Sequence, residues 1–415
     1  MRNVLMIAFN FPPLAQSTGR FRTLSFARHL PSHGWRPTVL TADERAYEAV
    51  QPTSLREVPE GLNVVRAPGL DVGRHLALRG RYPRWLATPD RWNTWAIGAA
   101  IRGVRWVREH RPDALWVTYP VPSALLAATW IQRRTGLPLV VDLRDPVVYE
   151  NWPVDRWRRA VFSRLERRAV EVASAVVCTT PSACALYRER YAHLPAQRFH
   201  TIANGVEDAM LATVASTTSA SSPHTVTLVH GGLMEVPERD PTALFNALRQ
   251  LAQASPAVAA RLRIVLRGSG REEALKRQVA ALGLESRVSI AGPIAHQDAL
   301  AEMRSADALL LFQGRECNRQ IPAKAYEYLA CQRPIVGLID AHGDTRALVA
   351  GEWGVPYVAN MDDPIAIADV LARLVNDCEA RHAHIPPATL VAQHSRSART
   401  ADLAALFNAI VNRAT

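Results

Sequence analysis

The 415-residue sequence is poor in cysteine: five scattered residues (Cys178, Cys184, Cys317, Cys331 and Cys378) and no Cys-x-x-Cys pair. An odd, scattered set excludes a disulfide framework and a cysteine-based zinc site, and it suits a reducing compartment. Long apolar runs are missing as well. None reaches the roughly 18 residues that a membrane-spanning helix needs. The opening MRNVLMIAFNFPP is apolar only as far as Pro12 and Pro13. It lacks the apolar stretch and cleavage site of a signal peptide and reads as a first buried strand. Low-complexity blocks are absent, which argues against extensive disorder. Acidic residues are the minority, 38 Asp and Glu against 49 Lys and Arg, for a net charge of +11 and a pI of about 9.9. That surplus suits an anionic partner such as nucleic acid, lipid headgroups or phosphorylated small molecules, and equally suits a solvated basic surface.

What is present is apolar material in a regular rhythm. The chain is 48% hydrophobic and 21% charged, and its length exceeds one ordinary core, so two domains are expected. Short apolar runs alternate with longer helical periodicities, the pattern of parallel sheets with crossover helices. The first half predicts strands at 4–9, 38–41, 115–118, 139–143, 175–179 and 201–203, with helices at 20–30, 95–110, 123–135, 157–172 and 182–191. Residues 211–225, LATVASTTSASSPHT, have linker composition. The rhythm then restarts, with strands at 227–230, 263–267, 288–291, 308–312 and 335–338. Helices are expected at 241–253, 272–282, 297–306 and 323–331, and at 397–412 at the end. The expected architecture is α/β: two Rossmann-like, doubly wound parallel-sheet domains facing a central cleft. They occupy residues 1–206 and 226–393, with a linker at 207–225 and a terminal segment 394–415 free to return to the first domain. In such sheets ligands bind at the carboxyl ends of the strands, where helix N-termini favour anions.

The stretch 321–336, IPAKAYEYLACQRPIV, combines several features useful to an anionic ligand. Pro322 suits the first position of a helix. Ile321, Pro322 and Ala323 lead into backbone N–H groups that have no partner within the helix, and Lys324 adds a point charge. Glu327, one turn on, can accept hydrogen bonds from sugar hydroxyls. Spacing alone fits an ordinary exposed Lys–Glu pair, worth a few tenths of a kcal/mol, at least as well.

In sequence context the stretch resembles the donor motif of glycosyltransferase family 4, whose members often carry Pro-x-Lys-x-x-Glu-Tyr-Leu-Ala. Further segments resemble the same family in the same order: FNFPPLAQSTGRFRTLSFARHLPSHGWRPTVLTA, LPLVVDLRDP, TTPSACALYRERY with TIANGVE, and RIVLRGSGREEALKRQVAALGLESRVSIAGPI. The resemblance implies a GT-B fold and transfer of a sugar from a nucleotide-sugar, UDP- or GDP-linked, with retention, without a metal and without a cofactor. It further implies a glycan or lipid-linked glycan of the bacterial envelope as acceptor, and a cytoplasmic protein working at the inner face of the plasma membrane. Donor contacts would come from Gly19, Gly232, Arg267, Gly268, Ile321, Pro322, Ala323, Lys324 and Glu327. The catalytic candidates are Lys324, Arg239 and Asp145, with Arg20, Arg22, Tyr119 and Arg144 on the acceptor side. Such an enzyme needs no dedicated nucleophile, because the leaving diphosphate can take the acceptor proton.

The sequence departs from the family at several points. Thr18-Gly19 replaces two consecutive glycines. Leu233 stands near an expected Arg, and Arg239 near an expected Lys. Arg319 occupies the place of the first of two glutamates, and Val117-Thr118-Tyr119-Pro120 lacks the usual His. A GT-B epimerase or hydrolase, or a non-catalytic transferase subunit, is therefore an alternative. Gly268-Ser269-Gly270 does not continue into a full G-x-G-x-x-G, which disfavours a dinucleotide. No nucleic-acid-reading module is apparent. Arginines 79, 81, 84, 91, 102, 105 and 108 are interleaved with Trp85, Trp92, Trp95 and Trp106, and RWRRAVFSRLERRA follows. That composition suggests contact with an anionic membrane, or packed tryptophans beneath solvated arginines.

Overall fold

The computed structural model describes residues 1–15, 19–149, 152–211 and 225–413, which divide into two compact units. Unit 1 is Met1–Ala203 with Arg396–Thr415, and unit 2 is Asn204–Ser395. Of the linker expected at 207–225, residues 212–224 lie outside the described residues, and Asp208–Leu211 is a short helix of unit 2.

Unit 1 contains β1 (Arg2–Ile7), β2 (Trp35–Ala42), β3 (Asn63–Ala67), β4 (Ala114–Tyr119), β5 (Leu139–Leu143), β6 (Ala175–Cys178) and β7 (Phe199–Thr201). They form one sheet in the order β3-β2-β1-β4-β5-β6-β7, every neighbour parallel. Side chains alternate across a strand, so Leu5 and Ile7 join one core with Trp95 and Phe162, while Val4 and Met6 join the other with Trp116 and Phe407. Burial on both faces explains why these strands read as continuous apolar runs. The terminal helix Arg396–Asn412 completes the second core through Leu403, Phe407 and Ile410. Its Asn408 Oδ1 accepts from Trp35 Nε1 and from Arg2 Nη1, both at 3.2 Å.

Unit 2 repeats the plan with β8 (Val226–Gly231), β9 (Leu262–Arg267), β10 (Val288–Ala291), β11 (Ala308–Gln313), β12 (Ile335–Ile339) and β13 (Val358–Ala359). The order is β10-β9-β8-β11-β12-β13, again parallel. Leu310 and Phe312 face one core, Leu309 and Leu311 the other. In each sheet the winding reverses once, between β1 and β4 and between β8 and β11, and such switch points open a crevice at the strands' carboxyl ends.

Several elements add to those expected from the sequence. Edge strand β3 and the two-residue β13 are too short or too mixed to show a period. The helix Pro364–Glu379 is capped by Asp363, which accepts from the N–H groups of Ile365 and Ala366, both at 3.0 Å. No helix among the described residues is long and apolar enough to cross a membrane.

The tryptophan-rich segment is divided by the fold, with Trp85 exposed and the other three packed. Trp95 and Trp106 are core residues, and Trp92 packs on Phe9 with ring centroids 4.6 Å apart. Arg91 is held by buried Asp71 and by Glu48, and Arg84 pairs with Asp155 beside the Trp157 ring. The helix Asn93–His110 can bury its tryptophans because it packs close. A Cβ on Gly98 would lie 2.2 Å from the Pro68 carbonyl oxygen, and one on Gly103 2.4 Å from Ile131 Cδ1.

Candidate functional site

The switch point of unit 2 is where the chemistry gathers. β8 and β11 pair only at Leu228↔Ala308 and Val229↔Leu309. Beyond these residues the ladder opens, and side chains take over its hydrogen bonds. His230 Nδ1 meets the Leu310 carbonyl oxygen at 2.8 Å, so this nitrogen carries the proton. The Tyr328 hydroxyl lies 3.3 Å from the Gly231 N–H and 3.4 Å from the Leu310 carbonyl. His230 is buried, its ring edge-on to Phe312, and its Nε2 has no hydrogen-bond partner. Burial, reinforced by the positive charges of Lys324 and Arg239, holds its pKa down to about 4, so the ring is neutral near pH 7.

Past the opening, Gly232 takes φ +135°, a conformation that favours glycine. A Cβ there would sit 3.2 Å from Lys324 Cε, so the lysine stem lies directly against the glycine backbone. The loop is fixed to its neighbour by Gly232 N–H donating to the Arg267 carbonyl at 2.9 Å and Met234 N–H to the Ser269 carbonyl at 3.0 Å. Lys324 sits in the first turn of the helix Ala323–Cys331, which has no side-chain cap at Pro322. First-turn N–H groups and an ammonium therefore share one end of the helix, an arrangement favourable to anions. Lys324 Nζ donates to Glu327 Oε2 at 2.9 Å, and both are partly exposed. The chain has only two lysines, Lys276 and Lys324, among its 49 basic residues. A compact point charge at this position is thus against the chain's habit.

The loop that delivers this helix is pinned at both ends. Buried Gln313 donates from Nε2 to the carbonyls of Cys317 (3.2 Å) and Gln320 (3.4 Å). Thr345 Oγ1 donates to Gln320 O at 2.8 Å, and Asn318 Nδ2 donates to Asp340 Oδ1 at 2.9 Å. Ile321 and Pro322 are half-buried below Ala323, and Arg319 is exposed on the loop.

Of the residues expected in this half, the fold brings Gly232, Ile321, Pro322, Ala323, Lys324, Glu327 and Arg239 to one end of the sheet. Arg239 is mostly buried beside Glu238 (3.8 Å) and close enough to His230 to depress its pKa. Arg267 and Gly268 adjoin through backbone, but the Arg267 guanidinium turns away. It forks onto Glu302 at 2.5 and 2.6 Å and donates to the Gly292 carbonyl at 2.9 Å. Leu233 is exposed, its side chain against Gly270.

In unit 1 the other candidates separate into two groups. Tyr119, Arg144 and Asp145 meet at the carboxyl ends of β4 and β5, where Tyr119 and Leu143 are register partners. Burial pushes the Asp145 carboxyl above its ordinary pKa, with Arg144 opposing, and burial lowers the Arg144 guanidinium. The Tyr119 hydroxyl is pushed up by burial and by Asp145. Gly19, Arg20 and Arg22 begin the helix Gly19–His29, whose preceding residues 16–18 lie outside the described residues. Arg20 is tied to Glu57 (2.9 Å) and the Leu14 carbonyl (3.0 Å). Arg22 is tied to buried Asp142 (2.7 Å) and to the carbonyls of Ile202 and Ala203 (2.9 Å each). Both guanidinium groups are buried and engaged within their own unit.

Two contributors were not singled out from the sequence. His230 is marked only by its place before Gly231-Gly232. Glu166 lies inside the basic run RWRRAVFSRLERRA yet is buried. Its carboxylate accepts from Val148 N–H (3.2 Å), Tyr187 OH (2.9 Å), Arg190 Nη1 (2.7 Å) and Tyr191 OH (2.8 Å). Tyr187 OH also accepts from Val147 N–H (3.0 Å), and Arg190 Nη2 donates to the Val148 carbonyl (2.8 Å). This cluster clamps the segment that follows Asp145.

Residues 18–205 match the family described as a glycosyl transferase 4-like domain, and residues 225–377 match glycosyl transferases group 1. No curated protein is significantly similar in sequence. Among solved structures, Anabaena Alr3699/HepE in complex with UDP and glucose superposes with a TM-score of 0.65 at 16% identity, covering 99% of this chain and 100% of that one. The α,α-trehalose 6-phosphate synthase of Burkholderia multivorans gives a TM-score of 0.67 at 14% identity, with both chains fully covered. The lipopolysaccharide outer core galactosyltransferase WaaB gives 0.61 at 13%, covering 97% of this chain and 99% of that one. Two Rossmann-like sheets wound in the same sense, each half matching its glycosyltransferase domain family, establish that the chain belongs to the glycosyltransferases of the GT-B fold.

Proposed function

We propose that the chain is a family 4 enzyme of the Pro-x-Lys-x-x-Glu-Tyr-Leu-Ala type. It transfers a sugar from a UDP- or GDP-sugar, with retention and without metal or cofactor, to a glycan or lipid-linked glycan of the bacterial envelope. The acceptor is met on the cytoplasmic side of the membrane. One observation carries the reading: Lys324, an uncapped helix start and the Gly232 backbone converge where β8 and β11 part. The solved relative with UDP and glucose bound supports the choice of nucleotide.

The donor diphosphate is placed against the first-turn N–H groups and Lys324, with Arg239 behind. Stabilising charge on a departing diphosphate is the principal electrostatic task in such a reaction. Glu327 Oε2 holds the Lys324 ammonium, which leaves Oε1 to accept from a ribose hydroxyl. Gly232 lets the ligand approach the backbone, and Gly268 shapes the adjoining turn. Asp145, with Tyr119 and Arg144, is assigned to the acceptor hydroxyl. Arg20, Arg22 and Arg267 act through their partners, holding the helix Gly19–His29 and the β9 end in place. Thermal-shift titration with UDP-, GDP-, ADP- and TDP-sugars tests this reading. At least one should stabilise the protein, and a flat response to all four would defeat it. Turnover of the donor with no acceptor present would instead assign an epimerase or hydrolase.

A further inference from the structure

We propose that unit 1 carries a docking face for bilayers containing anionic phospholipid, formed by the outward sides of the helices Asn93–His110 and Pro122–Thr135. It gives the membrane partner of the transferase reading a location, and rests on that reading for its purpose but not for its test. Ile97, Ile101 and Trp130 are 52, 69 and 40% exposed. Ile97 and Ile101 are four apart and so share one helix face. A groove of about 910 Å³ runs between the helices, with Ala100 and Val104 lining it beside Ile101 and Trp130. The close approach at Gly103 keeps the two helices together along it.

The rim is cationic. Arg105, Arg108, Arg133 and Arg134 line the same groove. Between them the two helices carry a single acid, Glu109, which lies 3.5 Å from Arg105. Among the described residues no carboxylate lies within 4 Å of Arg108, Arg133 or Arg134. Arg22, Arg190 and Arg267, by contrast, are each matched with an acid, Asp142, Glu166 and Glu302. Basic residues in a last helical turn compensate the helix dipole, which accounts for some of these charges. It does not account for two isoleucines and a tryptophan exposed beside them. A second copy of the chain would bring like charge against like charge. A soluble polyanion would use the arginines but gain nothing from Ile97 and Ile101. An anionic bilayer uses both: aliphatic and indole groups enter the interface, and arginines reach the headgroups on their long stems. Each basic residue near such a surface adds to the attraction, which falls off within a Debye length.

The experiment is flotation of the full chain with phosphatidylcholine vesicles, with and without phosphatidylglycerol, across a salt series. Expected is binding that needs phosphatidylglycerol, falls as salt rises, and drops at least about thirtyfold in the pair Arg108→Glu/Arg133→Glu. It should drop similarly in Ile101→Gln/Trp130→Gln, whose side chains are exposed enough for the fold to tolerate the change. Absence of binding by the parent chain overturns the proposal. So does parental binding in both variants, or loss with the charge variant alone together with equal capture by heparin, which would mark a polyanion site. Nucleotide-sugar thermal shifts are measured on the same proteins. Vesicle binding without any nucleotide shift would sink the donor reading and leave this one standing, and the reverse pattern would do the opposite.

Discussion

Lys324 is unusual in its composition and in its place. In a chain that uses arginine almost throughout, a lysine stem lies against Gly232, where a Cβ would sit 3.2 Å from Lys324 Cε. A guanidinium has the charge but not the shape for that channel. Lys324→Ala is expected to lower donor turnover by about 10²- to 10³-fold, the usual consequence of removing one leaving-group contact. Lys324→Arg should recover only a small part of it, and full recovery would refute a site that depends on a point charge. Gly232→Ala tests the same channel from the other side, combining a strained φ with contact on Lys324 Cε. His230, two residues earlier, makes a pH prediction. Its folded pKa of about 4 lies below the ordinary 6.5 of the unfolded chain. The unfolded state therefore gains a proton first, and stability falls as pH drops from about 6.5 towards 4, by up to about 1.4 kcal/mol per unit. His230→Gln can still donate to the Leu310 carbonyl and has nothing to titrate. Its thermal stability should fall less than the parent's over that window, and parallel curves would show that His230 is not the group responsible.

The loop after β5 shows how an element is set by residues far from it in sequence. Glu166 comes from one helix, Tyr187, Arg190 and Tyr191 from another, and together they fix Val147 and Val148 next to Asp145. Removing the carboxylate would leave Arg190 and two hydroxyls facing a hole. Glu166→Ala is expected to destabilise unit 1 by about 3–5 kcal/mol, as breaking a buried ion pair does. Chemical denaturation measures it, and a loss under about 1 kcal/mol would mean that the cluster is incidental. Nothing local announces such a role. Within RWRRAVFSRLERRA, Glu166 looks like one more surface charge, and only the arrival of Tyr187 and Arg190 on its oxygens makes it internal. The same holds for Arg22 and Arg267, whose partners Asp142 and Glu302 lie 120 and 35 residues away. By contrast, β5, β10 and the helix Ala323–Cys331 were legible to the residue, because a short mostly apolar run between turn signals or a Pro-led amphipathic turn is a local signal. β3 was not, since Asn63 and Arg66 flank its two valines and leave too short an apolar run at the sheet edge.

At the scale of the molecule, sequence rhythm indicates two α/β units but not how the chain closes them. Residues 397–412 read as an amphipathic helix free to return to the first domain, with no local signal for which core there it enters. In the structure Leu403, Phe407 and Ile410 lie in the same cluster as Val4, Leu24 and Trp116 of unit 1. Phe407 sits 4.9 Å from the Trp35 ring, and Asn408 and Asn412 accept from Arg2. The last stretch of chain is thus part of the first unit's core, although unit 2 intervenes in sequence. Ending the chain at residue 395 would uncover Trp35 and the apolar side of the helix Gly19–His29. Burying a large apolar side chain is worth about 1.5–3 kcal/mol, so losing these three together rivals the 5–15 kcal/mol that typically holds a whole domain. Unit 2 keeps its own two clusters, and Gly232, Lys324 and Glu327, proposed to face the nucleotide, are all within it. Scanning calorimetry of the truncated chain should therefore lose one transition and retain another that a nucleotide-sugar raises in temperature. Trp35, buried in the intact chain, should report the first loss through a red-shifted emission. A truncated chain that keeps both transitions would show that the terminal helix only decorates unit 1. One that loses both would show that unit 2 cannot stand without it.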